Sequence, residues 1–231
     1  MSEHAPPTGK PRLTRPQMAK RLSAEFQDGW IVNLGTGMPL LCSDFAPEDR
    51  TIIFHAENGI LGYGRRAVTE DEATPWLGNA GGGAVVMQPF GSFFHHADSF
   101  AIVRKGMLDT SVLGAYEVGA DGGLANWKVA GAIGGGIGGA MDIAACAKQV
   151  FAILEHTQRN GAPRLLAKCT LPLTAPPCVT LVMTDLGLFR AAGDHFEALE
   201  LAPEWTLDEV AALTGAPLVA SANLGVVALD R

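Results

Sequence analysis

Thr51-Ile52-Ile53-Phe54-His55-Ala56-Glu57-Asn58-Gly59-Ile60-Leu61-Gly62-Tyr63-Gly64 is an apolar run that opens straight into a carboxylate and a series of glycines. The first four residues are β-branched and aromatic and end at turn residues, the pattern of a short buried strand. Glu57 then stands at the strand's carboxyl end beside Asn58 and Gly59, where α/β proteins gather their ligands. Glutamate is rarely buried unless it is paired or functional. The position therefore singles it out.

The stretch just before it repeats the pattern. Residues 15–28 carry Met18, Ala19, Leu22 and Phe26 at helical spacing and stop at Gly29. Trp30-Ile31-Val32-Asn33-Leu34 reads as a strand and runs into Gly35-Thr36-Gly37-Met38-Pro39. Proline behind a glycine turn suits the first turn of a helix, placed over 39–45. Helix, strand, glycine turn, helix, strand, glycine turn predicts parallel βαβ units and the α/β class.

Beyond the opening stretch, residues 65–83 turn polar and then glycine-rich, a long loop with functional contacts. Strands are expected over 84–87, 110–115, 150–154 and 179–184, and helices over 95–105 and 140–147. A turn is expected at Asp121-Gly122-Gly123 and a hairpin around Gly193-Asp194. A final helix follows Thr206, with Asp208 and Glu209 favourable in its first turn. Neither repeat nor linker interrupts the chain. Residues 1–12, with four of them Pro or Gly, read as a flexible tail and 13–231 as a single domain.

Bulk properties narrow the function. The 231 residues are 48% hydrophobic and 18% charged with a net charge of −7, which fits a glycine-rich enzyme. Without a basic cluster there is no source for phosphate-driven nucleic-acid affinity. No run approaches the roughly 20 apolar residues of a membrane span. Four scattered cysteines without a CxxC pair, and no secretory signal, point to reduced thiols in the cytoplasm.

Three constellations compete for the chemistry. Gly134 to Gly139 satisfies GxGxxG, with a strand and Glu155 behind it. Five glycines in six residues match that pattern by chance, and residues 125–128 make a poor strand before it. Close backbone approach to a ligand or a strand is the other use of such glycines. His95, His96 and Asp98 suggest metal, but adjacent histidines on a helix diverge and no third ligand is suitably spaced. Cys42 and Cys146 sit in apolar helices and read as core. At Glu57, backbone N–H groups from its own turn and from the 33–37 turn could face a tetrahedral oxyanion. A carboxylate nucleophile there would attack an acyl group to give an anhydride. A capping or salt-bridged glutamate fits the same spacing, and the residues alone leave both readings open.

Taken together, Asn33-Leu34-Gly35-Thr36-Gly37-Met38-Pro39, Glu57-Asn58-Gly59-Ile60-Leu61-Gly62 and Ala97-Asp98-Ser99-Phe100 resemble the B (β) subunit of family I 3-oxoacid CoA-transferases. So do Val112-Leu113-Gly114-Ala115, Leu124-Ala125-Asn126-Trp127, Gly138-Gly139-Ala140-Met141-Asp142, Glu155-His156 and Cys169-Thr170-Leu171-Pro172-Leu173-Thr174, in the family's order from about Leu13 to Val219. The resemblance implies an open, mostly parallel α/β sheet packed with helices, shared with ribose-5-phosphate isomerase. It implies transfer of CoA from an acyl-CoA of succinyl type to a 3-oxoacid, with Glu57 as nucleophile. Coenzyme A enters as substrate, with no cofactor and no metal. Asn33, Gly35, Gly37, Asn58, Gly59, Gly138, Gly139 and Ala140 match positions around the substrate, and the GxGxxG look-alike becomes part of that site.

The partner implied is a CoA-transferase A (α) subunit in a heterodimer or heterotetramer, with no nucleic acid and no membrane. Two departures bear on the acids. Asn79-Ala80-Gly81 is followed by Gly82 where acetoacetate enzymes commonly carry lysine, and Met107 replaces a histidine after Gly106. His95 to Phe100 and Lys148-Gln149-Val150-Phe151 resemble instead the 3-oxoadipate type. An acyl-CoA hydrolase on the same site, or a non-catalytic CoA- or sugar-phosphate-binding module, is the alternative.

Overall fold

In the computed structural model, which describes residues 9–129, 131, 136 and 138–229, the elements fall into two compact units. One comprises Ala19–Gly114 and Ile137–Phe151, the other Met1–Met18, Ala115–Gly136 and Ala152–Arg231.

After helix α1 (Arg15–Ser23), the first unit contains β1 (Ile31–Leu34), a 3-10 helix (Met38–Phe45), β2 (Ile53–Ala56), β3 (Ile60–Arg66), β4 (Val85–Phe93), α2 (His96–Arg104) and β5 (Thr110–Gly114). Its strands run in the order β5-β1-β2-β3-β4. The first three are parallel, as the βαβ pattern predicts, and β3 and β4 add to them antiparallel. The sheet is therefore mixed. Parallel register sets Asn33 opposite both His55 on β2 and Ser111 on β5.

Aromatic side chains fill the space behind these strands. Phe26 stacks on Phe151 at 6.5 Å and meets Phe54 edge-on at 6.2 Å, and Phe54 lies 5.5 Å from Tyr63. Such pairs add about 0.5–1.5 kcal/mol each beyond the area they bury. The helix expected over 15–28 stops at Ser23, whose hydroxyl bonds back to the Ala19 carbonyl and also reaches that of Cys42. Cys42 is buried as expected, and burial pushes its thiol up to about 12. Residues 60–66 form a strand rather than an extended glycine turn, because Gly62 (φ 77°) occupies a bulge and lets pairing with β2 continue.

The other unit contains β6 (Glu117–Gly119), β7 (Leu124–Ala125), β9 (Leu165–Leu166), β10 (Val179–Thr184), β11 (Gly187–Ala191), β12 (Phe196–Leu201), α4 (Leu207–Ala211) and β13 (Leu218–Val226). The helix α3 (Ala140–Cys146) lies in the first unit, and β8 (Val150–Leu154), all of it buried, begins there and ends in the second. β10, β11 and β12 are antiparallel, the hairpin expected around Gly193, and β13 joins β12 in parallel. Thr206 and Glu209 form a capping box at the start of α4. Of the stretch read as a tail, residues 1–8 lie outside the described residues. Lys10 bonds Glu209 at 2.6 Å and Arg12 bonds Asp185 at 2.9 Å.

Candidate active site

Glu57, Asn58 and Gly59 are the three residues that turn β2 back into β3, with Ala56 paired to Ile60. The Gly59 amide donates to the Ala56 carbonyl at 3.0 Å. Gly59 has φ 111°, and a Cβ there would lie 2.1 Å from the Phe94 carbonyl oxygen, so only glycine closes this turn. Three hydrogen bonds to two other segments hold the turn. The Phe94 amide donates to the Gly59 carbonyl at 3.0 Å. His96 donates from Nδ1 to the Glu57 carbonyl at 2.8 Å, and Asn58 donates from Nδ2 to the Gly78 carbonyl at 2.8 Å.

The Glu57 side chain is half-buried, and among the described residues its carboxylate has neither hydrogen bond nor ion pair. Its Oε2 lies against Gly139, the residue that opens α3. A methyl group on Gly139 would sit 2.3 Å from that oxygen and 2.7 Å from Cζ of Phe100. Phe100 is fixed from below by Val103, Leu108 and Ile143, with the His96 ring 5.0 Å away edge-on and the Arg104 guanidinium at 5.4 Å. Arg104 in turn bonds Asp142 at 2.8 Å and ties α2 to α3. A carboxylate with no partner among the described residues, held at a strand's end against bare backbone and an aromatic edge, has lone pairs that an electrophile can meet.

Beneath the turn runs a buried hydrogen-bond chain. Ser111 donates to Asn33 Oδ1 at 3.0 Å, which fixes the amide's orientation. Asn33 Nδ2 donates to His55 Nδ1 at 3.1 Å and to the His55 carbonyl at 3.3 Å. With Nδ1 accepting, the His55 proton sits on Nε2 and is donated to Ser99 Oγ at 2.8 Å. Ser99 donates onward to the Ala56 carbonyl at 3.4 Å. Burial pushes His55 down to about 4, so the ring stays neutral.

Glu57, Asn58, Gly59 and Gly139 are thus brought together, with Ala140 next along α3. Gly138 has φ 52° with open space around it. Asn33 is 2% exposed and its amide is occupied inside the protein, so it meets the turn through His55. Gly35 packs against the Val112 carbonyl and Leu113, where a Cβ would lie 3.0 Å from Leu113 Cδ2, and Gly37 (φ 84°) leads into the 3-10 helix. Gly134, Gly135 and Ile137 of the GxGxxG look-alike lie outside the described residues. Gly82 stands in open space on the 67–84 loop, and Met107 is exposed beyond α2. Among the described residues no group of three or more His, Cys, Asp or Glu is placed to hold a metal, and no helix is long and apolar enough to cross a membrane.

Sequence alone gives no site role to His55 or Ser111, places Ser99 only within a family motif and, apart from its place in such a motif, weighs His96 only for metal. A polar residue interrupting an apolar strand, as Asn33 does in Ile31–Leu34, is the signal that also marks His55 in Ile53–Ala56.

Fold and site together define an α/β protein with, on a strand-turn-strand hairpin, a carboxylate that has no partner among the described residues. The family model for coenzyme A transferase matches residues 15–213. The chain belongs to the coenzyme A transferase family and is a CoA-transferring enzyme. The B subunit of 3-oxoadipate CoA-transferase from Pseudomonas putida is 40% identical over 210 residues, covering 90% of this chain and 97% of that protein. The β subunit of a probable coenzyme A transferase from Bacillus subtilis is 43% identical over 204 residues, covering 88% and 94%. Among solved structures, the acyl-CoA transferase apoenzyme from Escherichia coli O157:H7 superposes with a TM-score of 0.71 at 20% identity, over 96% of this chain and 44% of that one. At that identity the likeness is one of fold.

Proposed function

We propose that this chain is the nucleophile-bearing B subunit of a cytoplasmic 3-oxoacid CoA-transferase, working by ping-pong chemistry through Glu57. The observation that carries the reading is the Glu57 carboxylate packed against Gly139 at the end of β2, with no partner among the described residues. A Glu57 oxygen attacks the thioester carbonyl of an acyl-CoA, the C–S bond breaks, and CoA leaves as thiolate. The thiolate attacks the glutamyl carbonyl of the resulting anhydride, releasing the donor acid as carboxylate and leaving a glutamyl–CoA thioester. The acceptor acid's carboxylate then displaces the thiolate to form a second anhydride. Thiolate attack on the acyl carbonyl of that anhydride returns acyl-CoA and free Glu57.

Coenzyme A is a substrate in this scheme, and no other cofactor takes part. Burial of the nucleotide and pantetheine portions of CoA supplies binding energy that can be expressed at the reacting centre. The names of the relatives, a B and a β subunit, support an A-subunit partner and a 3-oxoacid such as 3-oxoadipate as acceptor. A heterodimer or heterotetramer, and acetoacetate as the other acceptor type, complete the proposal.

The test is to incubate the complex of this chain and its A subunit with acyl-CoA, then trap with borohydride or hydroxylamine. Modification confined to Glu57 is expected. An unmodified Glu57 under turnover conditions would overturn the proposal.

A further inference from the structure

Ser111, Asn33, His55 and Ser99 are each 2% exposed or less, and each belongs to a different element: β5, β1, β2 and α2. Buried polar side chains in the middle of a sheet carry a desolvation cost, which hydrogen bonding offsets only when every group is satisfied. Here every side chain is bonded, and the bonds run one way. Each residue donates towards the next, and the last acceptor is the carbonyl of Ala56, the residue before Glu57. That same carbonyl accepts the Gly59 amide that closes the turn. The chain therefore ends at the backbone atom on which the geometry of the turn depends.

An apolar core would satisfy the sheet without this arrangement, since β1, β2 and β5 already pair through their backbones. What the side-chain network adds is a fixed distance from the parallel strands to the hairpin and to the start of α2, which carries both Ser99 and Phe100. His55 is the one member that bridges the two. Its Nδ1 takes the bond from β1 and its Nε2 gives one to α2.

From this geometry we infer that His55 is a positioning residue for Glu57, acting through Ser99 and the Ala56 carbonyl. The inference rests on the proposed role of Glu57. The imidazole does not touch the reacting atoms; it holds the hairpin and α2 at the separation that keeps the carboxylate against Gly139 and Phe100. Displacing a reacting group by about 1 Å costs on the order of 10²-fold in rate.

The test uses the reconstituted complex and follows kcat and KM separately. His55→Phe keeps an aromatic ring, somewhat larger than the imidazole, but removes both bonds; its kcat should fall on the order of 10²-fold while KM changes less than about threefold. His55→Gln can accept at one end and donate at the other, and should recover most of the lost kcat. Wild-type kcat in the Phe variant, or no recovery in the Gln variant, overturns the inference. Should the Phe variant fail to fold, Ser99→Ala and Ser111→Ala cut the chain at its ends with little change in volume. Ser99→Ala, next to the turn, should lose more kcat than Ser111→Ala, and full activity in both overturns the inference. Labelling separates the two layers. Absence of a Glu57 adduct in the unaltered complex removes both, whereas a normal adduct with an unimpaired His55→Phe variant removes only the positioning role.

Discussion

Asn33 Nδ2 lies 3.1 Å from His55 Nδ1, and because the Asn33 carbonyl oxygen is engaged by Ser111, that contact can only be a donation to an unprotonated ring nitrogen. One amide orientation thereby fixes the tautomer of a histidine two residues from the candidate nucleophile. An imidazolium would set two donors against each other at the same place.

This relationship predicts a pH dependence of stability. Burial holds His55 down to about 4, and burial, with Arg12 nearby, holds His156 down to about 3, against 6.5 in the open chain. The unfolded chain thus binds protons that the folded one refuses. The stabilisation is full above about pH 6.5 and is lost as pH falls towards 4 and then 3, by up to about 1.4 kcal/mol per pH unit for each ring. Urea midpoints measured from pH 7.5 down to 4.5 should fall accordingly, and a flat profile would contradict the neutral assignment.

Glu57→Gln separates stability from activity. The carboxylate has no partner among the described residues, so its loss should leave the melting temperature within about 2 °C of the wild type, the range of a neutral substitution. Turnover should drop at least about 10³-fold, because an amide does not form the anhydride. Retained turnover would remove Glu57 from the reaction.

Gly59→Ala should do the opposite. Its Cβ would sit 2.1 Å from a backbone oxygen, at φ 111°, and backbone cannot step aside as a side-chain end can. A loss of roughly 3 kcal/mol or more is expected, read as a melting temperature lower by about 10 °C. A thermally silent Ala variant would show that the turn relaxes in a way the described contacts do not allow.

At Gly139 the nearest neighbour, the end of the Glu57 side chain, is movable, while the Phe100 ring is held by the core. A Cβ would press on Glu57 Oε2 and Phe100 Cζ, both ends of side chains. Gly139→Ala should therefore fold with nearly unchanged stability while kcat falls on the order of tenfold or more, as the carboxylate is pushed aside. Circular dichroism melts and steady-state kinetics on the same preparation decide it.

In the other unit, the buried Glu117 carboxylate accepts from the Thr170 amide at 2.6 Å, the Thr170 hydroxyl at 2.7 Å and the Leu171 amide at 2.9 Å. Glu117→Gln turns an amide NH₂ towards those donors and should cost about 1–3 kcal/mol. Chemical denaturation measures this directly, and a neutral result would mean the 169–174 loop finds other acceptors.

Local chemistry makes much of this legible in the sequence. The apolar runs at 31–34, 53–54, 150–154 and 179–184 are strands because no other packing hides such residues, and Thr206 with Glu209 announces α4. Pairing direction is harder to read. Residues 60–66 hold Gly62 and Gly64, which read as turn, yet the bulge at Gly62 absorbs one of them and a strand continues. β13 (Leu-Val-Ala-Ser-Ala-Asn-Leu-Gly-Val) escapes a sequence reading because its small and polar residues carry little strand signal, and its pairing with β12 holds it in place. Glu57 stands out because a carboxylate closes an apolar run. The set formed by Asn33, His55 and Ser111 depends on register between strands far apart in sequence, which no local pattern encodes.

The three tethers on the hairpin turn carry a practical consequence for redesign. Glu57, Asn58 and Gly59 are each bound to a residue outside the turn, whereas Gly82 on the adjoining loop has nothing within 4 Å of where a side chain would begin. On the proposed transferase reading, variation aimed at a new acid substrate belongs on that loop rim, with residues that tolerate a left-handed backbone at position 82. There the repertoire can widen while the reacting carboxylate stays where the fold has put it.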